Sequence, residues 1–383
     1  MITPIPYGKH HITDQDIEAV VDVLKNEFLT QGSKVALFEK DFAEFVDSPF
    51  AVATCNGTAA LHLGMKVLGV KKGTKVLTTP MSFVATSNSI LYCDGEVEFI
   101  DIDTNSYLMN FDLLEERLAK STTGEFSGIA VTDFAGHPHD MEKLRCIADK
   151  YKLWILEDAC HALGASWENK NKEIIKVGSS KYADLSVFSF HPVKHLTTGE
   201  GGMITTRNAD LYEKLCLLRT HGITKNPKKF SHEPHGGWYY EMQELGYNYR
   251  ITDIQCALGI SQLKRMNENI KRRRIIADVY NYSLRDLVII PKVYDKMYHA
   301  YHLYVIQTDK KKDLYEYLNK FNIYTQVLYL PIHMQPYYQK LGYPKGICPV
   351  AESYYKKSLS LPMFHSMTEN EQNFVIGKII SFF

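Results

Sequence analysis

The stretch that decides the fold is residues 188–202, FSFHPVKHLTTGEGG, at the end of an apolar run that begins at residue 183. A short apolar run that passes into polar, glycine-rich sequence is typical of a β-strand followed by a loop. The one lysine of this loop, Lys194, is therefore predicted to lie at a strand end, at the mouth of a cleft. Most lysines are solvated surface charges, so a reactive role for Lys194 depends on its neighbours.

A second strand-like run, WILED at residues 154–158, ends in Asp158, and His161 follows three residues later. The carboxyl ends of neighbouring parallel strands meet at one crevice, so Asp158 and Lys194 are expected to face the same ligand. This pair suits pyridoxal phosphate, whose aldehyde forms a Schiff base with a lysine and whose ring takes up electrons while an aspartate keeps its nitrogen protonated. The alternative for Asp158 is a solvent-exposed helix cap. The alternatives for His161 are a core residue and a helix-surface residue.

Further candidates for contact with the cofactor lie at other strand ends. The turn TCNGTAAL, residues 54–61, leads into a helix, and the helix N-terminus at Gly57 and Thr58 suits a phosphate. Ser189 could add a hydroxyl to the same phosphate or be a buried polar group of its strand. Phe83 is either a core aromatic or a plate on the pyridine ring, and its position alone favours the core. Turns of this kind are common, so the phosphate prediction depends on the other motifs.

The composition is that of an ordinary soluble enzyme, with 45% hydrophobic and 23% charged residues in 383. The 44 basic and 44 acidic side chains cancel, which argues against nucleic acid and anionic membranes as partners. The seven cysteines form no C-x-x-C pair and no metal-ligand spacing. We expect reduced thiols, no metal site and a cytoplasmic location. No run has the pattern of a signal peptide or a membrane span.

Strand-like runs alternate with helices over residues 51–205, which predicts an α/β fold with a mainly parallel, seven-stranded sheet. The predicted strands are residues 51–54, 75–78, 97–100, 128–131, 153–156, 185–190 and 202–205. Apolar spacing predicts helices at residues 14–25, 35–45, 254–280 and 369–383, and alternation marks residues 300–307 and 325–330. The predicted domains are an N-terminal arm at 1–34, a large cofactor-binding domain at 35–250 and a small α+β domain at 251–383. The basic run KRRR, residues 271–274, is interpreted as a solvated helix face rather than a nucleic-acid patch.

Five motifs, in order along nearly the whole chain, resemble the DegT/StrS-type sugar-nucleotide aminotransferases. They are GTAAL at 57–61, SFVAT at 82–86, EDACHALG at 157–164, FSFHPVK with GEGG at 188–202, and LGYNYR at 245–250. Five motifs in the same order are far more specific than any one of them. The resemblance implies PLP-dependent transferase fold-type I, the aspartate aminotransferase-like fold. It also implies a homodimer with shared active sites that uses pyridoxal 5'-phosphate.

The resemblance assigns a role to each candidate residue. Lys194 would carry the cofactor and move a proton, Asp158 would pair with the pyridinium nitrogen, and His161 would contact the phenolic side of the ring. Phe83 would cover one ring face. The phosphate would be held by Gly57, Thr58, Ser189 and, from the partner of a dimer, Asn248. Candidates for the sugar-nucleotide pocket are Tyr7, Thr30, Tyr249, His333 and Arg250, the last suited to a diphosphate.

Several segments are most similar to the pseudaminic acid branch of the family, which implies small-molecule substrates. L-Glutamate would donate the amino group, leaving 2-oxoglutarate, and UDP-2-acetamido-2,6-dideoxy-β-L-arabino-hexos-4-ulose would accept it. Alternatives are GDP- or dTDP-linked ketosugars, a sugar 3-dehydrase, or a non-catalytic regulatory protein of the same fold. Dehydrases of this fold carry histidine in place of the lysine, so Lys194 argues against that activity. His195 departs from the family pattern and is expected to alter the local field at Lys194.

Overall fold

The structure is a computed structural model and describes residues 4–383. Its strands are β1 (Phe50–Thr54), β2 (Lys75–Thr78), β3 (Glu96–Phe99), β4 (Gly128–Thr132), β5 (Trp154–Asp158), β6 (Ser166–Glu168), β7 (Ile174–Lys176), β8 (Leu185–Ser189), β9 (Gly202–Thr206), β10 (Ile223–Thr224), β11 (Glu241–Met242), β12 (Met297–Tyr298), β13 (Tyr304–Gln307) and β14 (Ser358–Leu361). Its helices are α1 (Asp14–Asn26), α2 (Ser33–Val46), α3 (Gly57–Val67), α4 (Ala85–Leu91), α5 (Phe111–Ala119), α6 (Met141–Tyr151), α7 (Ala209–Arg219), α8 (Asp253–Leu263), α9 (Met266–Leu284), α10 (Lys311–Asn319), α11 (Pro336–Lys340), α12 (Pro349–Lys357) and α13 (Glu369–Phe382).

A seven-stranded sheet in the order β1-β9-β8-β5-β4-β2-β3 organises the fold. Strands β8, β5, β4, β2 and β3 pair in parallel, whereas β9 runs antiparallel to both β8 and β1. Parallel strands need crossover connections, and helices provide most of them here. The mainly parallel α/β prediction is confirmed, and all seven predicted strands lie within two residues of the observed ones.

Both faces of the sheet are buried, and the alternation of side chains along β5 decides which residues reach which face. Leu156 packs in the core cluster under α3, whereas Ile155 packs in the cluster on the opposite face. Because side chains alternate with a period of two, Asp158 shares the face of Leu156 and Glu157 shares the face of Ile155. Asp158 is therefore directed to the α3 side, where the sheet ends in an open cavity.

The C-terminal part of the chain packs β13 and β14 against α9, α10 and α13 around a separate apolar cluster. The predicted helix at 369–383 is observed as α13, and residues 304–307 form β13. Residues 325–330 do not form a strand; only Gln326 makes an isolated bridge to Ser360. The domain boundaries at residues 34 and 250 stay predictions.

The long helix predicted for residues 254–280 is wrong in one respect, because α8 and α9 are separate helices. Arg265 leaves helical geometry, with φ −105° and ψ 10°. Its guanidinium binds the Asp16 carboxylate, with Nη1–Oδ1 at 2.8 Å, and the His11 carbonyl at 3.0 Å. The helix is therefore interrupted at Arg265, the residue whose side chain binds α1.

The solvated interpretation of the basic run 271–274 is also wrong for its three arginines. The Arg273 side chain is buried and donates to the carbonyls of Tyr301 and Met363, at 3.0 and 3.1 Å. Arg272 and Arg274 donate to other backbone carbonyls. The run holds α9 against the segments that follow it. Within residues 4–383, no helix is long and apolar enough to cross a bilayer.

Candidate active site

A cavity of about 690 Å³ opens at the carboxyl ends of the parallel strands. Convergence of strand ends at such a crevice is the usual place for a ligand in an open α/β sheet. The predicted site residues that line it are Tyr7, Gly57, Thr58, Phe83, Asp158, His161, Ser189, Lys194 and Tyr249. The structure therefore brings together residues from well-separated regions of the chain.

Lys194 lies in a tight loop after β8. Its backbone N–H donates to the His191 carbonyl at 2.8 Å, and the Thr198 N–H closes the loop on the Phe190 carbonyl at 3.0 Å. The side chain is half-buried and lines the cavity. Burial lowers the pKa of the Lys194 amine to about 8, against opposing contributions from Cys160 and Asp158. A neutral, nucleophilic amine is therefore accessible near neutral pH.

Asp158 ends β5 and is only 4% exposed, so the exposed-cap interpretation is wrong. The Thr86 hydroxyl donates to Oδ2 at 2.5 Å, and the Cys160 N–H donates to Oδ1 at 3.2 Å. Each carboxylate oxygen thus has a donor, as a buried carboxylate requires. The arrangement fixes a carboxylate on the cavity wall, suited to a cationic ring nitrogen.

His161 is buried beside Asp158, with a contact at each ring nitrogen. The Ala135 N–H donates to Nδ1 at 3.3 Å, and Nε2 lies 3.1 Å from the Tyr329 hydroxyl. Burial, with smaller contributions from Lys194 and His195, holds the pKa of His161 well below its ordinary value. The ring is therefore neutral at physiological pH.

The N-terminus of α3 also lines the cavity. Asn56 caps this helix by accepting from the Ala59 N–H at 2.8 Å. A Cβ placed on Gly57 would lie 2.8 Å from the Cβ of Ser189. Glycine is therefore what lets the helix N-terminus approach β8 closely enough for Thr58, Ser189 and the helix dipole to serve one anion.

Phe83 is 55% exposed and lines the cavity, so the core interpretation of this residue is wrong. His195 was expected to alter the field at Lys194. Its Nε2 donates to the Ala300 carbonyl at 3.1 Å, and burial holds its pKa well below the ordinary range. It therefore adds no positive charge beside the amine.

Four predicted residues do not line this chain's cavity. His333 is fully buried and its Nε2 lies 2.9 Å from Glu352 Oε1, so the structure contradicts its placement in the sugar pocket. Thr30 forms a bridge to Thr252 and does not line the cavity. Arg250 is half-buried outside the cavity, and Asn248 is exposed.

Sequence reasoning missed several lining residues, among them Tyr329, His302, Cys160 and Thr132. His302 is buried with its ring centroid 4.4 Å from that of His161. Tyr329 and His302 come from the C-terminal third of the chain, where no local sequence signal marks them. Thr132 was accessible to reasoning, since it ends β4 as Asp158 ends β5.

An amine of lowered pKa, a buried carboxylate and a helix N-terminus on one cavity define the site of a pyridoxal phosphate-dependent enzyme. The amine fits the aldehyde of that cofactor, the carboxylate fits its ring nitrogen, and the helix N-terminus fits its phosphate. The sequence matches the DegT/DnrJ/EryC1/StrS aminotransferase family over residues 10–380, and the chain belongs to this family. It is therefore a PLP-dependent sugar aminotransferase.

Three similar proteins illustrate the relationship. The UDP-4-amino-4,6-dideoxy-N-acetyl-beta-L-altrosamine transaminase of Campylobacter jejuni subsp. jejuni serotype O:23/36 (strain 81-176) is 38% identical over 98% of this chain and 97% of its own. The structure of Helicobacter pylori PseC, an aminotransferase involved in the biosynthesis of pseudoaminic acid, is 30% identical with a TM-score of 0.89 and covers 99% of each chain. The PLP form of the putative sugar aminotransferase Spr1654 from Streptococcus pneumoniae is 25% identical with a TM-score of 0.89, over 99% of this chain and 98% of that one.

Proposed function

We propose that this enzyme transfers the amino group of L-glutamate to the C4 carbonyl of UDP-2-acetamido-2,6-dideoxy-β-L-arabino-hexos-4-ulose. The observation that carries the chemistry is Lys194 and Asp158 on one cavity, the first with a lowered pKa and the second with both oxygens bonded. The substrate rests on 38% identity, over 98% of the chain, to a transaminase named for the matching amino sugar. The product would enter surface-glycan synthesis of the pseudaminic acid type.

Bound pyridoxal phosphate would carry the amino group between the two substrates and withdraw electrons through its ring. Lys194 would hold the cofactor and then, once released, move the proton at the reacting carbon as a general base. A pKa of about 8 suits this work, because the amine can both accept and return a proton near neutral pH. Asp158 would keep the ring nitrogen protonated, and Phe83 would cover one ring face.

The phosphate would lie at the N-terminus of α3, against Thr58 and Ser189. We propose that Asn248 completes this site from the partner of a homodimer, since in its own chain it is exposed and does not line the cavity. A two-fold interface of this kind creates two equivalent sites, each built from both chains. Arg250 would reach a substrate diphosphate by the same route.

Tyr7 and Tyr249 line the same chain's cavity as Lys194, and they are the candidates to contact the sugar nucleotide. Burial raises the pKa of both phenols, so each stays protonated and can donate a hydrogen bond. The Tyr249 hydroxyl lies 3.0 Å from His62 Nδ1, which fixes the ring at the cavity wall. Neutral donors at this position suit sugar hydroxyl and carbonyl oxygens.

A paired kinetic assay tests the substrate. Purified enzyme with pyridoxal phosphate and glutamate is given the β-L-arabino 4-ketosugar or its D-xylo epimer, and mass spectrometry identifies the amino product. We expect higher kcat/KM on the β-L-arabino compound, because discrimination between epimers is a difference in transition-state binding. Lys194→Ala is the matched inactive control.

Higher efficiency on the D-xylo epimer, or on a GDP- or dTDP-linked 4-ketosugar, would contradict the proposed substrate and leave the aminotransferase assignment in place. Absence of an amino product from every ketosugar, with the wild-type protein fully loaded with cofactor, would favour the regulatory alternative instead.

A further inference from the structure

The hydrogen bonds around His161 determine which of its ring nitrogens carries the proton. Nδ1 accepts from the Ala135 backbone N–H at 3.3 Å, so Nδ1 is unprotonated. The ring is neutral, because burial and then Lys194 hold its pKa well below the ordinary range. A neutral imidazole carries one proton, so it lies on Nε2.

This tautomer fixes the orientation of the Tyr329 hydroxyl. Nε2–H of His161 donates to the Tyr329 oxygen across 3.1 Å, which leaves the phenolic proton free to be donated elsewhere. Within residues 4–383, the only hydrogen-bond contact of the Tyr329 hydroxyl is with His161. Burial and then Asp158 raise the pKa of Tyr329, so the phenol keeps that proton.

The surroundings direct the phenol into the cavity. Tyr329 lines the same cavity as Lys194 and Asp158. Its ring is stacked on His161, with centroids 6.0 Å apart, and lies 5.9 Å from Phe83. Tyr329 is half-buried at the cavity wall, so its unused phenolic proton can be donated to an acceptor on a ligand that enters the cavity.

We propose that Tyr329 donates a hydrogen bond to an anionic oxygen of the bound ligand, and that His161 is the positioning residue that turns this donor toward it. The inference rests on the proposed function. Two sources have the required chemistry, the phenolic oxygen of the cofactor and the carboxylate of the amino donor. Both ring nitrogens of His161 have protein partners, so His161 would act on the ligand through Tyr329 rather than through a hydrogen bond of its own.

The test compares wild type, Tyr329→Phe and Tyr324→Phe, each reconstituted with pyridoxal 5'-phosphate. Tyr324 is the matched control, since it lies on the same segment, is 42% exposed and does not line the cavity. The first measurement is the pH midpoint at which the visible absorbance of the bound cofactor changes. The second is KM for glutamate and kcat of the half-reaction that aminates the cofactor.

If the cofactor's oxygen is the acceptor, Tyr329→Phe raises the midpoint by about one pH unit, because a lost donor disfavours the anionic form. If the acceptor is the donor carboxylate, the midpoint stays and KM for glutamate rises about tenfold, as expected for a lost hydrogen bond to a charged group. Tyr324→Phe should change neither. A Tyr329→Phe protein with unchanged midpoint and unchanged KM overturns the inference.

Two His161 variants test the positioning role. His161→Gln keeps one acceptor and one donor and should retain the wild-type value, whereas His161→Leu removes both and should reproduce the Tyr329→Phe effect. Wild-type values in His161→Leu would refute the positioning role. A wild-type protein that forms no Lys194-dependent absorbance band overturns the proposed function as well. An intact band that Tyr329→Phe leaves unchanged, together with an unchanged KM, overturns the inference alone.

Discussion

The lowered pKa of Lys194 makes a quantitative prediction about how fast the protein captures its cofactor. Only the neutral amine attacks an aldehyde, so the rate follows the neutral fraction. With a pKa of about 8, about one-tenth of Lys194 is neutral at pH 7, whereas an ordinary lysine of pKa 10.5 is neutral in about one molecule in 3,000. Burial therefore makes the amine about 300-fold more available at pH 7.

Stopped-flow absorbance measures this directly, with the apo-protein mixed with pyridoxal phosphate between pH 6 and pH 10. The second-order rate constant should rise about tenfold per pH unit below 8 and level off above it. Lys194→Ala gives the background from other lysines, and N-acetyl-lysine run in parallel corrects for ionisation of the cofactor. A rate that keeps rising tenfold per unit up to pH 10 would show that Lys194 is an ordinary solvated lysine.

Asp158→Asn sharpens the experiment, because it alters the pKa of Lys194 in a known direction. Burial lowers the pKa of the amine, and Cys160 and the Asp158 carboxylate oppose that effect. Removing the Asp158 charge should therefore lower the pKa of Lys194 further. The pH at which the capture rate constant levels off should then fall by about one unit. A shift to higher pH would contradict the assigned electrostatics, whatever happens to turnover.

Three further perturbations test the phosphate site, a buried carboxyl group and the shared dimer site. Gly57→Ala should weaken cofactor binding at least about tenfold, because the new Cβ would lie 2.8 Å from Ser189 Cβ and push α3 away. The pH at which the capture rate of Lys194 levels off should not change. Equilibrium titration measures the affinity, and an unchanged affinity would refute the phosphate site. Glu157 is buried with its pKa raised to about 8, by burial first, so its protonated form is favoured in the folded state and the free energy of unfolding falls as pH rises from about 4.5 to 8. The Tm of Glu157→Gln should therefore be at least about 3 °C above that of wild type at pH 8.5, and this difference in Tm should become smaller toward pH 5. A difference in Tm that does not depend on pH would contradict this. Heterodimers of Lys194→Ala with Asn248→Ala should regain activity in one of two sites, and mass-verified heterodimers that stay inactive would refute a shared site.

The strands were predictable because the evidence for a buried parallel strand is local. A short apolar run bounded by glycine or polar residues has few other uses in a soluble protein, and all seven predicted strands of the sheet are present. The same reasoning located Asp158 and Lys194, since parallel strands bring their carboxyl ends to one edge. The residues directly after each strand in the sequence were therefore enough to predict which side chains meet in space.

The failures share a cause, which is contact between residues far apart in the chain. The family resemblance placed His333 in the sugar-nucleotide pocket, yet it is buried against Glu352, a partner that no local pattern identifies. Arg273 looked solvated by composition, yet backbone carbonyls of two later segments bind it, and burial lowers its pKa to about 10. Tyr329 reaches the cavity only because the C-terminal part packs over the sheet. Such pairings depend on the tertiary fold rather than on sequence periodicity.

Several ionisable groups around Lys194 keep one charge state over the pH range of the cofactor-capture experiment. Burial keeps the pKa values of His161, His195 and His302 well below the ordinary range, so none of these rings gains a proton as pH falls from 8 to 6. Burial likewise raises the pKa values of Cys160 and Tyr329, and both stay protonated up to pH 8. Lys194 is then the one group among these that changes charge in this range. An imidazole beside the amine that lost its proton between pH 6 and pH 8 would raise the pKa of Lys194 as pH rises, so the rate would increase less than tenfold per pH unit. A simple one-proton profile therefore supports the neutral histidines as well as the lysine.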